Sequence, residues 1–419
     1  MLSSVITTPK AIEEYRPVIG DERVNELKEL AQPLQGAKVL HINATAFGGG
    51  VAEILSSLVP LMNDLGLVAD WQVIQGADEF FKITKAMHNS LQGMFVPWTP
   101  EMLQTWLYYN QMNAEDLSSA DFDFIMIHDP QPAAIPYLIA KRGAAAKHGK
   151  WVWRCHIDLT QAQVDIWDFL RPFLEVYDST IFTLKDYIKP DLESPRAFVV
   201  PPSIDPLTPK NFQLAPQAVN AILRQYGVDP DLPMVLQVSR FDPWKDPLGV
   251  IDAYRMVKKE IPELQLVMVA SMANDDPEGW LYYERTVRRA GEDFDIHILS
   301  NLNGVGNVEV NAFQTAAKVV IQKSIREGFG LTVTEGLWKG KPVVGGNCGG
   351  IPLQIIHDRT GYLVATVEEC AEKILYLLKH PEKAEQLGRA GREHVRQNFL
   401  ITRQLRDYLS IFRTLANAG

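Results

Sequence analysis

A chain of 419 residues exceeds one ordinary hydrophobic core and suits two domains of roughly 200 residues, each able to bury its own apolar interior. With 46% hydrophobic and 22% charged residues the composition is neither disordered nor fibrous, and a compact α/β protein is the expectation. Lys and Arg number 41 against 51 Asp and Glu, so the net charge of -10 argues against the broad basic footprint of a nucleic-acid binder and leaves any anion site local.

Residues Met1 to Lys10 carry no basic segment followed by an apolar one, and no window of 18 or more apolar residues follows, so neither export nor a membrane is expected. Cys155, Cys348 and Cys370 are far apart and lack metal spacing, which fits a reducing, cytoplasmic setting better than a disulfide framework.

Short β-branched runs at Lys38–Asn43, Trp71–Gln75, Phe124–His128, Trp151–Cys155 and Thr180–Thr183 alternate with amphipathic stretches, the pattern of buried parallel strands between helices. The first of those helices carries Val51, Ile54, Leu55, Leu58, Leu61, Met62 and Leu65 on its apolar face, and Gly66 stops it. From Val199 to Pro209 four prolines forbid a continuous helix, and this segment reads as a linker. Beyond it the strand pattern repeats at Met234–Ser239, Leu264–Ala270, Asp295–Leu299, Lys318–Gln322 and Pro342–Gly345. Ile401–Leu415 has helical spacing and is free to pack back on either domain. The predicted architecture is α/β: two doubly wound Rossmann-like domains facing across a cleft, residues 1–205 on the acceptor side, with a helix at about 400–419 returning to them, and 206–399 on the donor side. Ligands in such sheets bind at the carboxyl ends of strands, so motifs should follow strands.

Three loops do. Ala44–Val51, after the first strand, holds Gly49 and Gly50 at a helix start, where amides approach a ligand unobstructed and favour negative charge. It lacks GxGxxG spacing, and a tight turn would use the same residues. Ser239–Lys245 opens the second set; Arg240 as a fork and Lys245 as a point charge can converge on a diphosphate and replace a divalent metal, the bland alternative being two solvated charges. Ser324–Trp338 is the strongest. Gly328, Phe329 and Gly330 lead into a helix whose first amides, at Leu331 and Thr332, can hold phosphate oxygens. Glu327 and Glu335, about 12 Å apart if wholly helical, can grip a hexose on one side of the diphosphate and a ribose on the other, although two glutamates are more often a solvated face.

This combination resembles the retaining GT-B glycosyltransferases related to sucrose and glycogen synthases. Asn43–Glu53, His128-Asp129-Pro130-Gln131-Pro132, Arg154-Cys155-His156-Ile157-Asp158 and Val238–Lys245 look like the trehalose glycosyltransferring synthases and the related trehalose phosphorylases, over essentially the whole chain. The resemblance implies that Gly49 and Gly50 approach the donor's phosphate and sugar, and that Arg240 and Lys245 neutralise the leaving diphosphate. Glu327 would bind donor glucose, Glu335 the ribose, and His156 the donor sugar near its reacting carbon; the residues alone would favour a capped core histidine for His156. Asp158, Asp129 and Gln131 are acceptor candidates, set against an N-cap for Asp158 and a simple Asp-Pro turn for Asp129. Asp121-Phe122-Asp123 spells a metal motif of another transferase architecture but sits at a strand's beginning, and His88, His128 and His297 have no partners at metal spacing, so no metal site is expected.

The implied reaction moves glucose from ADP-, UDP- or GDP-glucose to glucose, giving trehalose, with the nucleotide sugar as co-substrate, no further cofactor, no essential metal, and a homodimer as the implied assembly. A phosphorylase using glucose 1-phosphate, a sugar-nucleotide epimerase and a non-catalytic nucleotide-sugar sensor are the competing readings.

Overall fold

A computed structural model describes residues 2–47, 49–117, 122–143, 148–194, 196–270, 272 and 277–417. The chain divides into two compact units, Met1–Pro202 with Ile401–Gly419, and Ser203–Leu400. Gly48 of the glycine loop and Asp121 of the Asp-Phe-Asp triplet lie outside the described residues.

The first unit holds strands β1 (Ser3–Ser4), β2 (Lys38–Asn43), β3 (Val68–Val73), β4 (Phe124–His128), β5 (Lys150–Arg154), β6 (Ser179–Phe182) and β7 (Ala197–Val199), in the order β1-β3-β2-β4-β5-β6-β7. All neighbours run parallel except β1, which pairs antiparallel with β3. Each residue of β4 is buried, as a strand covered on both faces must be, and this explains its unbroken apolar run. By contrast β3 starts at Val68, ahead of the expected Trp71, because only Trp71 in it is fully buried and its other residues carry little apolar signal.

The helix Gly50–Asp64 presents Ile54, Leu55, Leu58, Leu61 and Met62 to the interior and is followed by Gly66 at φ 93°, a left-handed conformation that stops helices. The helix Ile401–Ala416 belongs to this unit. It buries Leu405, Tyr408, Leu409, Phe412 and Leu415, and Phe412 stacks on Phe124 with ring centroids 4.6 Å apart. Arg403 donates to the Pro201 carbonyl at 2.6 Å, tying the helix to the end of the first unit's chain.

The second unit is a parallel sheet of β8 (Met234–Val238), β9 (Gln265–Ala270), β10 (Ile296–Ser300), β11 (Val319–Gln322), β12 (Val343–Gly346) and β13 (Gly361–Val364), ordered β10-β9-β8-β11-β12-β13. In each sheet the chain winds outward one way and then reverses: β4 returns to the free side of β2, and β11 to the free side of β8. Those switch points open a crevice at the strands' carboxyl ends, and the loops after β2, β8 and β11 are the three singled out in the sequence, with the further candidates after β4 and β5. Among the described residues no helix is long and apolar enough to cross a membrane. The cysteines are free, Cys155 and Cys370 buried and Cys348 half-buried.

Candidate active site

In the second unit the loop after β8 is built by two aspartates. Asp242 accepts from the Lys245 amide at 3.1 Å and caps the short turn Pro243–Lys245; Asp246, at φ 48°, accepts from the Gly249 amide at 3.1 Å and starts the helix Pro247–Lys258. Gln237, buried on β8, donates to the Lys245 carbonyl at 2.8 Å. The backbone of Lys245 is thus held on both sides, and its Nζ lies 2.6 Å from Glu327 Oε2.

Glu327 reaches that point from the loop after β11, and its Oε2 also accepts from Ser324 Oγ at 3.2 Å and Gln322 Nε2 at 3.3 Å. Gln322 accepts from Thr332 Oγ1 at 3.0 Å, which couples the carboxylate to the first turn of the helix Leu331–Trp338. Gly330 caps that helix at φ 85°, and a Cβ there would come 3.1 Å from Glu327 Cγ, so conformation and space both call for glycine. After Gly328, Phe329 pins the loop: its ring is buried 5.6 Å from that of Phe399 and its carbonyl accepts from Gln354 at 2.5 Å. The result is a positioned cation, a positioned carboxylate and helix-start amides in one unit, which together can hold a sugar's anionic tail and its hydroxyls. Arg240, on the same loop, has Asp242 as its ion-pair partner. It is 61% exposed, and its guanidinium lies 3.2 Å from Asp242 Oδ2, an ion pair by distance without hydrogen-bond geometry.

Glu335 lies on the buried side of its helix, 1% exposed, with Lys210 Nζ 2.9 Å from Oε1 and Gln314 Nε2 donating to Oε2 at 2.9 Å. Nearby Lys339 is pushed down to about 8 by burial, against the pull of Glu335. The sequence showed the spacing of the two glutamates but not which face of the helix packs inward.

In the first unit Gly49 precedes the helix Gly50–Asp64, and a Cβ on Gly49 would meet nothing within 4 Å, so this unit's own packing leaves room beside that amide. Asp129 follows β4 at φ 63°; its Oδ1 accepts from the His156 amide at 2.7 Å, and its carbonyl from Trp153 Nε1 at 3.0 Å. It therefore clamps the ends of β4 and β5 together. Burial pushes its carboxyl up to about 7, opposed by the His156 amide and by Arg154. Gln131 offers its carbonyl to Asn110 Nδ2 at 2.9 Å. Asp158 accepts from the amide and hydroxyl of Thr160 at 2.9 and 2.6 Å, a local turn ahead of the helix Val164–Leu174, whose N-cap is Gln163. Asp123 accepts from the Lys38 amide at 2.7 Å and fixes the start of β2.

His156 is joined by two histidines that the sequence left without a role. His41 Nδ1 lies 3.0 Å from His128 Nε2, and His128 Nδ1 lies 3.1 Å from His156 Nε2. The strand register brings them together: His41 pairs with Met126 across β2 and β4, and His128 pairs with Arg154 across β4 and β5. Steps of two residues from Met126 and from Arg154 then place all three on one face of the sheet.

Asp129 also gives a pH test. The native state keeps its proton between the usual 3.8 and about 7 while the unfolded chain releases it, so stability falls as pH rises through that window, by at most ~4 kcal/mol. Asn tolerates the left-handed backbone and still accepts the His156 amide. Melting curves of Asp129→Asn are expected to match wild type at pH 4 and to lie clearly above it at pH 8; a constant offset would refute the burial argument.

Two doubly wound units with a cation and a carboxylate converging at the switch point of the second are the architecture of a GT-B glycosyltransferase. A sucrose-phosphate synthase from Thermosynechococcus elongatus superposes with a TM-score of 0.73 at 18% identity, covering 91% of this chain and 100% of that one. Residues 41–189 match the family described as "Trehalose synthase, N-terminal domain", and residues 219–394 that described as "Glycosyl transferases group 1". The trehalose synthase of Rubrobacter xylanophilus is 51% identical over 417 residues, 99% of each chain, and that of Thermococcus litoralis 49% over 406 residues, 97% of each. The chain belongs to the trehalose synthase family.

Proposed function

We propose that the chain is a retaining glucosyltransferase that moves glucose from a nucleoside-diphosphate glucose, with adenine, uracil or guanine as base, to glucose, forming trehalose. The observation that carries this reading is the Lys245–Glu327 pair beside the first turn of the helix Leu331–Trp338. Lys245 neutralises the diphosphate as it leaves, the amides of Leu331 and Thr332 and those of Gly49 and Gly50 take its oxygens, and Glu327 accepts from hydroxyls of the transferred glucose. His156 touches that glucose, Glu335 serves the ribose once Lys210 has moved, and Asp129, Gln131 and Asp158 lie on the acceptor side. Retention in glycosidases uses a carboxylate nucleophile. Here the ion pair at Glu327 favours a binding role, so the acceptor hydroxyl attacks the anomeric carbon on the face the phosphate leaves. The new C–O bond forms as the C–O bond to phosphate breaks, and the hydroxyl proton passes to the departing phosphate oxygen.

The deciding experiment incubates purified protein with each nucleotide glucose plus labelled glucose and follows products by NMR. A non-reducing disaccharide and free nucleoside diphosphate are expected. Product only from glucose 1-phosphate would make it a phosphorylase, an epimerised donor an epimerase, and binding without turnover a sensor. Because side-chain cations take the charge role of a divalent ion, turnover is expected to persist in EDTA; loss restored by magnesium would overturn that part. A homodimer, read by light scattering, and a reducing cytoplasmic setting, which three free cysteines favour, complete the proposal.

Arg240 is assigned to the same leaving group. Since its side chain is largely exposed, Arg240→Ala should move stability by less than about 0.5 kcal/mol while lowering kcat by roughly 10²-fold. Unchanged turnover would remove Arg240 from the mechanism.

A further inference from the structure

His41, His128 and His156 form a single file across β2, β4 and the end of β5, joined nitrogen to nitrogen at 3.0 and 3.1 Å. Their rings follow one another at centroid distances of 5.3 and 5.4 Å, and Tyr408 from the helix Ile401–Ala416 lies flat against His41, 6.4 Å away and tilted by 12°, closing the inner end. His41 and His128 are buried, and His156 is the partly exposed member at the carboxyl end of the sheet.

Each nitrogen-to-nitrogen contact needs one N–H and one bare lone pair, so three neutral rings permit only two arrangements of their protons. If the file points inward, the last proton sits on His41 Nε2. That atom is buried and meets no hydrogen-bond partner. A buried N–H without an acceptor is rarer and costlier than an acceptor with a spare lone pair. If the file points outward, His41 Nδ1–H donates to His128 Nε2, His128 Nδ1–H donates to His156 Nε2, and the proton of His156 stands on Nδ1, away from the file.

We infer that His41 and His128 are positioning residues that lock His156 in the Nδ1–H tautomer, making it a neutral, fixed hydrogen-bond donor toward a hydroxyl or ring oxygen of a sugar at the end of β5. Neutrality has its own support. Burial depresses all three, His41 to about 3 and the other two well below the usual value, and the guanidinium of Arg154 adds to the effect at His128 and His156. Arg154 is itself fully buried and donates to the Val200 carbonyl at 2.7 Å, a fixed positive charge that opposes a second one on the file. A charged imidazolium could donate from either nitrogen and would lose the orientation; a neutral one held at Nε2 donates only from Nδ1. The sugar-contact part of this inference rests on the proposed function, whereas the tautomer assignment does not.

The test is two-bond proton–nitrogen correlation on full-length protein labelled with ¹⁵N-histidine, the three rings being assigned by single substitutions. His156, His128 and His41 are expected to be neutral with Nδ1 protonated and not to titrate between pH 6 and 8. An Nε2–H tautomer or a titration at His156 overturns the inference. His41→Asp replaces the inner donor by an acceptor, so the file should reverse, His128 Nε2–H donating to the new carboxylate and His156 Nε2–H to His128 Nδ1; His156 should then switch tautomer and kcat fall roughly tenfold, the weight of one hydrogen bond, with the donor KM little changed. His41→Asn can place an amide N–H where Nδ1–H stood and should keep both the single tautomer and the rate. An unchanged His156 tautomer in His41→Asp, or His41→Asn behaving like His41→Asp, ends the positioning role. If no nucleotide sugar supports turnover, the proposed donor is wrong while the spectra still decide the tautomer; if His41→Asp does not fold, wild type and His41→Asn decide it.

Discussion

Lys245→Ala is expected to lower kcat by ~10²–10³-fold, the range seen when one preorganised group facing developing charge is removed. In the loop after β8, Asp242 and Gln237 hold the Lys245 backbone, and its ammonium lies 2.6 Å from Glu327. In the absence of substrate that ammonium is paired with Glu327, so catalysis requires it to exchange part of this contact for phosphate oxygens. Glu327→Gln keeps the shape and the acceptor oxygen but removes the charge, and should also cost at least tenfold. It separates two roles: a carboxylate that only oriented Lys245 would affect the leaving diphosphate, whereas one that holds glucose hydroxyls would also raise KM for the donor. Steady-state kinetics on both variants checks this, and a Lys245→Ala enzyme with wild-type kcat would defeat the assignment.

The second large effect is on stability. Lys210→Met leaves Glu335 in the interior without its ion-pair partner and is expected to destabilise the second unit by about 3–5 kcal/mol. Lys339, close by with its amine already pushed down to about 8, partly fills the gap and holds the loss toward the lower end. Lys210→Met with Glu335→Gln removes both charges while leaving an oxygen for Gln314, and should recover most of the loss. Denaturant unfolding of the single and double variants reads this directly; additive losses would mean that the pair is not coupled. Glu335→Gln alone also tests the ribose reading, since a carboxylate that serves only the interior leaves donor KM unchanged.

Much of this was legible in the sequence, for a physical reason. Strands buried on both faces, such as β4 and β8, must be apolar throughout and cannot be mistaken for an amphipathic surface element. Strands of two to four residues at the sheet edges, β1, β7 and β13, have too few positions to carry a pattern and went unread. The candidate loops were legible because doubly wound sheets bind at the ends of strands that flank a reversal, so the loops carrying Arg240, Lys245, Glu327 and Gly330 could be singled out as candidates before any side chain was placed. What escaped depends on register. The file of histidines exists only once β2, β4 and β5 are aligned residue against residue, and the burial of Glu335 depends on how its helix is rotated against Lys210 and Gln314, which no spacing rule specifies.

The helix Ile401–Ala416 is made after the whole of Ser203–Leu400 but belongs to the unit that precedes it. On the ribosome, β2 and β4 therefore emerge long before Tyr408 and Phe412, whose rings cover His41 and Phe124, and the whole of Ser203–Leu400 is synthesised in the interval. The later-made half can finish folding while the earlier one still waits for its closing piece, reversing the usual amino-terminal-first order and leaving the nascent sheet in need of shelter until that helix has emerged.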